Sequence, residues 1–136
     1  MASTFRLSVV SPERTVVDEP CVSLVAPGRD GYLGVMAGHI PLMTELKVGR
    51  LTYTRADGVT VRLAISGGFM QVDGTRAVVL ADTAEIASEI DPDRARVALN
   101  EARERLAQLP AGDPKAREYR AAVERAENRL KISEEL

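Results

Sequence analysis

The sequence predicts an N-terminal antiparallel β-sandwich followed by a C-terminal antiparallel two-helix hairpin. Residues 1–90 hold nine of the ten glycines and thirteen valines, which are typical of turns and strands, whereas residues 91–136 hold nine alanines and 20 of the 38 charges. The first part also alternates apolar and polar side chains with a period of two, and the second repeats them at helical spacing. We therefore expect a β-sandwich over residues 1–84, a linker over residues 85–90 and a helical hairpin over residues 91–136.

Short alternating segments define the strands of the predicted sandwich. Phe5, Leu7 and Val9 point to one face of the first strand, and their neighbours point to the other. Further strands are predicted at residues 16–17, 21–26, 32–36, 50–55, 59–65, 69–72 and 77–81. Asp-Gly dipeptides at residues 57–58 and 73–74 favour tight hairpin turns, because glycine adopts positive φ values easily. Many short strands without helical spacers favour an antiparallel sandwich or barrel.

Two start signals and two apolar stripes predict the helices. The Asp-Pro-Asp sequence at residues 91–93 is typical of a helix start, because aspartate caps backbone N–H groups and proline fits the first turn. A break is expected at residues 109–112, and Asp-Pro at residues 113–114 repeats the start signal. The two stripes are Ala95, Leu99, Ala102 and Leu106, then Tyr119, Val123, Ala126 and Leu130. The short connection makes the helices antiparallel, and their alanine-rich contact predicts a hairpin of marginal stability.

Composition excludes several classes of function. The formal net charge of -2 provides no basic field for nucleic acid, and 4% aromatic residues provide few platforms for stacking bases or sugars. The single cysteine, Cys21, has no metal-ligand spacing around it, so we expect a buried apolar thiol and no metal site. No run of about 18 apolar residues occurs, so any membrane connection is expected to run through a partner.

His39 is the residue that most resembles a catalytic base, either with Asp30 or with Glu45. Its glycine, isoleucine and proline neighbours supply neither a nucleophile nor an orienting carboxylate, so a structural or contact role is favoured and no catalytic residue is expected. The glycine-rich residues 27–34 lack the Gly-Lys-Ser/Thr ending of a phosphate loop. Ser-Gly-Gly at residues 66–68 predicts a bulge or a sharp change of strand direction.

Arginines of the predicted helices are candidates for anion binding. Arg125 and Arg129 lie one turn apart, and no acidic residue stands three or four positions from either. They therefore indicate either a solvated helix face or a site for a phosphate or an acidic protein surface. Arg94 lies one turn beyond Asp91, which fits either a nucleotide pocket or a local ion pair.

Four segments occur in the order found in one known family: residues 10–14, 31–42, 66–69 and 79–84, the second ending in Gly-His-Ile-Pro-Leu. With them the whole chain resembles the epsilon subunit of bacterial and chloroplast F-type ATP synthases, which is called delta in mitochondria. The resemblance implies a non-catalytic subunit of the rotating central stalk, bound peripherally at the cytoplasmic face of the bacterial cell membrane.

The same resemblance implies the partners. The sandwich would bind the gamma subunit and the ring of proton-carrying c subunits, with contact residues Asp30, Tyr32, Gly38, His39 and Pro41. The hairpin would either fold against the sandwich or extend toward the catalytic alpha and beta subunits and inhibit ATP hydrolysis. Tyr32 stands where the family often has an acid, so the polarity of the ring contact is expected to differ.

Nucleotide-sensing members of the family carry Ile/Leu-Asp-x-x-Arg-Ala at the first helix and two arginines four apart on the second. This chain matches both features, and the resemblance implies ATP as a regulatory ligand, with no required cofactor. The implied site comprises Glu85, Ile90, Asp91, Arg94, Ala95, Arg125 and Arg129. One departure is Glu101, which stands where those members have a further arginine. The alternative interpretation is a free-standing nucleotide-sensing regulatory protein.

Overall fold

The computed structural model describes residues 3–135 and divides after Ala87 into two units. The first unit consists of strands β1 (Phe5–Val10), β2 (Thr15–Cys21), β3 (Ser23–Gly28), β4 (Gly31–Met36), β5 (Leu42–Thr54), β6 (Thr60–Val72), β7 (Arg76–Ala81) and β8 (Ala84–Ile86). The second contains α1 (Pro92–Ala107) and α2 (Ala116–Glu134).

The strands form one hydrogen-bonded sheet in the order β2-β1-β7-β6-β5-β3-β4, and β8 pairs with β6. Val17 of β2 and Val35 of β4 come from opposite ends of this order, yet both belong to the same buried apolar cluster. The sheet therefore folds over on itself around one core, which confirms the predicted sandwich. One pair departs from the antiparallel prediction, because β1 lies parallel to β7.

Strand β6 changes direction partway along its length and pairs with a different strand on each side of the change. Residues 63–65 pair with β8, and residues 68–72 pair with β7. Where the two paired segments meet, Gly67 and Gly68 have φ values of +105° and +129°, and a Cβ atom on Gly68 would overlap the carbonyl oxygen of Leu80. The predicted change of strand direction at Ser-Gly-Gly is thus confirmed.

The two Asp-Gly turns differ in their backbone. Gly58 has φ +86°, as predicted, and Asp57 Oδ1 accepts the Val59 N–H at 3.0 Å. The second Asp-Gly pair forms the predicted tight turn between β6 and β7, but Gly74 is absent from the residues with positive φ. There the Asp73 carboxylate holds the chain by accepting the Thr75 N–H at 2.8 Å.

Several predicted strand bounds change in the structure. The segments predicted at 59–65 and 69–72 are one strand, β6, and β5 begins eight residues before the predicted start at residue 50. The segment predicted at 21–26 is divided between the end of β2 and the start of β3. The residues predicted as a linker, 85–90, contain the end of β8 and a 3-10 turn over Ala87–Glu89.

In the second unit, Asp91 caps α1 as predicted. Its Oδ1 atom accepts the backbone N–H groups of Asp93 at 2.9 Å and Arg94 at 3.4 Å. The second start signal works differently, because α2 begins at Ala116 and its N-cap, Lys115, has no side-chain cap. Asp113 instead accepts the Lys115 N–H at 2.8 Å, in the turn that precedes the helix.

Candidate functional site

The predicted partner contact lies at one end of the sandwich. Asp30, Tyr32 and His39 line one cavity of about 340 Å³, so the structure brings these three together. Gly38 supports them from behind, because its N–H donates to the carbonyl oxygen of Gly74 at 2.9 Å and fixes the loop on the β6–β7 turn. Pro41 is exposed and is not among the residues that line this cavity.

His39 has the geometry of a loop-shaping residue. Its Nδ1 donates to the carbonyl oxygen of Ile40 at 2.7 Å. Glu45, one of its two candidate partners, forms an ion pair with Arg29 at 3.1 Å. Within residues 3–135, no three His, Cys, Asp or Glu side chains gather in a way that could hold a metal ion.

Tyr32 also carries a structural contact. Its hydroxyl accepts the backbone N–H of Arg50 at 3.2 Å. A Cβ atom on Gly49 would lie 2.9 Å from the same hydroxyl oxygen and 2.6 Å from Cβ of Pro27, so only glycine leaves room here. The ring is therefore fixed over β5 while 54% of the residue stays exposed.

A row of apolar side chains on the outer face of the sandwich was missed by the sequence analysis. Val10, Leu80 and Phe69 lie opposite one another on the adjacent strands β1, β7 and β6. Met43 lies beside them on β5, because Glu45 opposes Phe69 and Met43 is two residues away on the same face. Phe69, Leu80 and Met43 are 54%, 58% and 69% exposed, respectively. We call Val10, Met43, Phe69 and Leu80 the outer apolar patch.

The sequence of β7 indicates this patch, because it has apolar side chains at consecutive positions. Ala77, Val79 and Ala81 alternate into the core, which leaves Val78 and Leu80 on the other face. A strand with apolar residues on both faces is either buried on both sides or has an uncovered apolar face.

A second cavity, of about 410 Å³, contains the predicted nucleotide residue Glu85. Its walls come from the β1–β2 loop and the segment around β8: Ser11, Pro12, Glu13, Arg14, Asp82, Thr83, Ala84 and Glu85. Both Arg14 and Glu85 have interaction partners. Glu85 thus belongs to the first unit, whereas the other six predicted nucleotide residues belong to the second.

The four predicted nucleotide residues at the start of α1 have different roles in the structure. The carboxylate of Asp91 caps the helix, and Ile90 and Ala95 are buried. Arg94 is exposed and lines a shallow cavity of about 370 Å³, which also contains Asp93, Val97, Ala98 and Glu101. The other charged side chains that line this cavity, Asp93 and Glu101, are carboxylates.

On α2, Arg125 is exposed, and Arg129 is half-buried with an interaction partner. The two arginines therefore differ in burial, although neither has an acidic residue three or four positions away.

Two ionisable groups of the core, Cys21 and Tyr53, have raised pKa values. Cys21 is fully buried, as predicted, and burial raises the pKa of its thiol to about 11. The Tyr53 hydroxyl of β5 donates to the Glu19 carboxylate of β2. Burial, together with this hydrogen bond, raises the pKa of Tyr53. Both groups are neutral near pH 7, and the Tyr53–Glu19 hydrogen bond joins β5 to β2.

Across residues 3–135, neither α1 nor α2 combines the length and the apolar character that a membrane crossing requires.

Comparison with known proteins matches both units. The family described as ATP synthase, Delta/Epsilon chain, beta-sandwich domain matches residues 4–87, and the corresponding long alpha-helix domain matches residues 88–134. The ATP synthase epsilon chain of Desulforamulus reducens is 44% identical over 134 residues, which cover 98% of this chain and 100% of the relative. That of Carboxydothermus hydrogenoformans is 50% identical over 107 residues, which cover 79% of each.

A similar fold occurs in the Euglena gracilis mitochondrial ATP synthase, in the OSCP/F1/c-ring structure in rotational state 1. The TM-score is 0.80 at 24% identity, and the match covers 98% of this chain and 82% of the other. The boundary between the two matched family domains, at residues 87 and 88, coincides with the division of the structure into two units. The chain belongs to the ATP synthase delta/epsilon chain family.

Proposed function

We propose that this chain couples ion flow to ATP synthesis from the central stalk of a proton-translocating F-type ATP synthase, without catalysing a reaction itself. The observation that carries the proposal is the family match over both units. His39, the residue closest to a catalytic base, has glycine, isoleucine and proline as its sequence neighbours, which supply neither a nucleophile nor an orienting carboxylate and support a non-catalytic role. The chain would reach the cytoplasmic face of the cell membrane peripherally, through the complex.

The outer apolar patch supports docking on a gamma subunit. Phe69 and Leu80 are directly opposed, and each is more than half exposed. Contiguous apolar surface of this kind usually marks a protein interface, because leaving it in water is unfavourable. An interface with a rotating shaft must also be rigid, and these residues sit on paired strands rather than on loops.

The loop end of the sandwich supports contact with a ring of c subunits. Its cavity offers Asp30 and His39 as polar groups, and the neighbouring Ile40 is 76% exposed. Tyr32, fixed on Arg50, replaces the acid often found in the family with a neutral ring. The contact would therefore be more apolar than one made by a carboxylate.

The hairpin is proposed as the inhibitory element, which would contact the catalytic alpha and beta subunits when extended. Its contact between helices buries few large side chains, since Leu99 and Ile132 are the large apolar residues of α1 and α2 that are fully buried. A weakly held hairpin can change state at little cost.

The test is deletion of residues 91–136 in the reconstituted synthase. We expect ATP hydrolysis to rise while assembly of the complex is unchanged. A truncated enzyme that assembles but hydrolyses ATP no faster would refute the inhibitory role. Failure of the isolated sandwich to bind gamma would refute the coupling role separately.

ATP is proposed as a regulatory ligand of the second unit. Arg94 and Arg125 are exposed guanidinium groups suited to phosphate, whereas Glu101 places a carboxylate in the same cavity as Arg94. Calorimetric titration of the full chain should show ATP binding that is weakened by Arg94→Ala and by Arg125→Ala. Glu101→Arg should tighten it by about ten-fold, because an attractive charge replaces a repulsive one.

Unchanged affinity in both alanine variants would refute this site. A chain that binds ATP but never binds gamma would instead favour the free-standing nucleotide sensor.

A further inference from the structure

Two arginine–glutamate ion pairs join α1 to α2 along one flank of the hairpin. Arg96 Nη2 lies 2.7 Å from Glu134 Oε1, and Arg103 Nη2 lies 3.4 Å from Glu127 Oε1. Arg96 also contacts Asp93 of its own helix, at 3.1 Å. The arginines are seven residues apart on α1 and the glutamates are seven apart on α2, which is close to two helical turns in each case. The pairs therefore repeat in register, with the cations on one helix and the anions on the other.

The contact between α1 and α2 buries little apolar surface, so these ion pairs are a larger share of what stabilises it. Most of the apolar stripe is only partly buried, including Ala102 and Leu106 on α1 and Val123 and Leu130 on α2. For helices of 16 and 19 residues, most of the stability comes from packing of the apolar face rather than from helix propensity. An exposed ion pair shifts an equilibrium by only about two- to five-fold, but two such pairs matter where the remaining contact is small.

We propose that the pairs Arg96–Glu134 and Arg103–Glu127 form a salt-sensitive clamp that sets the balance between the closed and the open hairpin. The regulatory meaning of this balance rests on the proposed inhibitory role of the hairpin. All four side chains are about half exposed, so dissolved ions reach and screen them. High salt or loss of the glutamates therefore favours the open state.

Arg125 and Arg129 lie on a different flank of α2 from the glutamates of the clamp. Glu127 is two residues from both Arg125 and Arg129, which places it about 200° around the helix from each. Neither of these arginines takes part in the two ion pairs of the clamp. Closure and anion binding by α2 can therefore be changed independently.

Amide hydrogen exchange of the full-length chain tests the clamp. Because most of the stability of each helix comes from packing, amides of α2 exchange when the hairpin opens, and their exchange rate reports the open fraction. The combined variant Glu127→Gln with Glu134→Gln should exchange about five-fold faster than the unmodified chain at about 0.02 M salt. The matched control is Glu124→Gln, which removes an exposed glutamate of α2 that belongs to neither pair.

A change of salt concentration and a reversed ion pair test the clamp further. Raising the salt to about 0.5 M should accelerate exchange in the unmodified chain and leave the double variant nearly unchanged. Arg103→Glu alone should accelerate exchange, and adding Glu127→Arg should restore it, because the reversed pair attracts again.

Equal rates in the double variant and the control, a salt-independent unmodified chain, or a reversed pair that fails to restore protection would each overturn the clamp. None of these results depends on assembly with the synthase. They can therefore be separated from failure of the proposed inhibitory role.

Discussion

The outer apolar patch offers the most direct test of docking on gamma. The change is Phe69→Thr combined with Leu80→Thr, which removes two side chains that face each other on β6 and β7. Threonine is suited to strands, so the backbone of the sheet should be preserved. The two side chains are 54% and 58% exposed, so they contribute little to the core and their loss should lower the free energy of unfolding by less than about 1 kcal/mol.

The effect on binding follows from the surface that these residues leave in water. Each exposes on the order of 100 Å² of apolar area, and covering both is worth up to about 5 kcal/mol. Part of that energy offsets the ordering of interface side chains, and the threonine methyl groups keep some contact. We therefore expect a loss of about 2–3 kcal/mol, which is about 30- to 150-fold in the dissociation constant for gamma.

Titration calorimetry of the full chain with purified gamma measures this loss. The matched control is Val25→Thr, which makes the same kind of change at a 43% exposed strand residue on β3, outside the patch. The control should bind like the unmodified chain. If the double variant stays within about three-fold of the unmodified chain, or if the control weakens binding equally, the patch is not the docking surface.

Three further changes test the fold. Gly68→Ala should lower the free energy of unfolding by about 3 kcal/mol or more in urea, because the added Cβ meets the Leu80 carbonyl at φ +129°, and a loss below about 1 kcal/mol would contradict the kink. Asp91→Ala should lower the stability of α1 by about 1 kcal/mol, because it removes the N-cap. Amide hydrogen exchange in the first turn of α1 should then be faster. Asparagine can also cap a helix, so equal exchange in Asp91→Ala and Asp91→Asn would argue against capping. Raising the pH from 8 to 11 should lower the free energy of unfolding, by about 2 kcal/mol for Cys21, because its pKa rises from 9.0 in the unfolded chain to about 11 in the fold. As the pH rises, the thiol of the unfolded chain ionises before that of the folded chain. Cys21→Ala should therefore reduce the pH dependence of the free energy of unfolding. If the pH dependence is unchanged in this variant, other groups cause it.

Side-chain periodicity predicted the faces of the elements but not their partners. The alternation of Phe5, Leu7 and Val9 places all three in the core, as observed. Nothing in that alternation shows that β1 pairs in parallel with β7, because the pairing joins segments about 70 residues apart in the sequence. The glycines of β6 also interrupt its alternation, which made one kinked strand look like two.

The candidate site shows the same limit. The cap at Asp91 was predictable because its acceptors and donors are neighbours in the sequence. The difference between Arg125 and Arg129 was not, because a long side chain finds its partner in space rather than three or four residues away. The ion pairs of Arg96 and Arg103 were missed for that reason as well.

The two units differ in what holds each of them together, so we expect that the proposed coupling and the proposed regulation can be changed separately. The sandwich core packs large side chains such as Leu63, Ile65 and Met70 at full burial, so losing one exposed ion pair leaves it folded. In the hairpin, the total stabilisation from contacts between the helices is small, and the two ion pairs of the clamp supply a substantial part of it. Substitutions at the clamp should therefore shift inhibition without weakening docking, and substitutions in the outer apolar patch should weaken docking without opening the hairpin. A change that did both would show that the two units communicate through more than the chain that connects them.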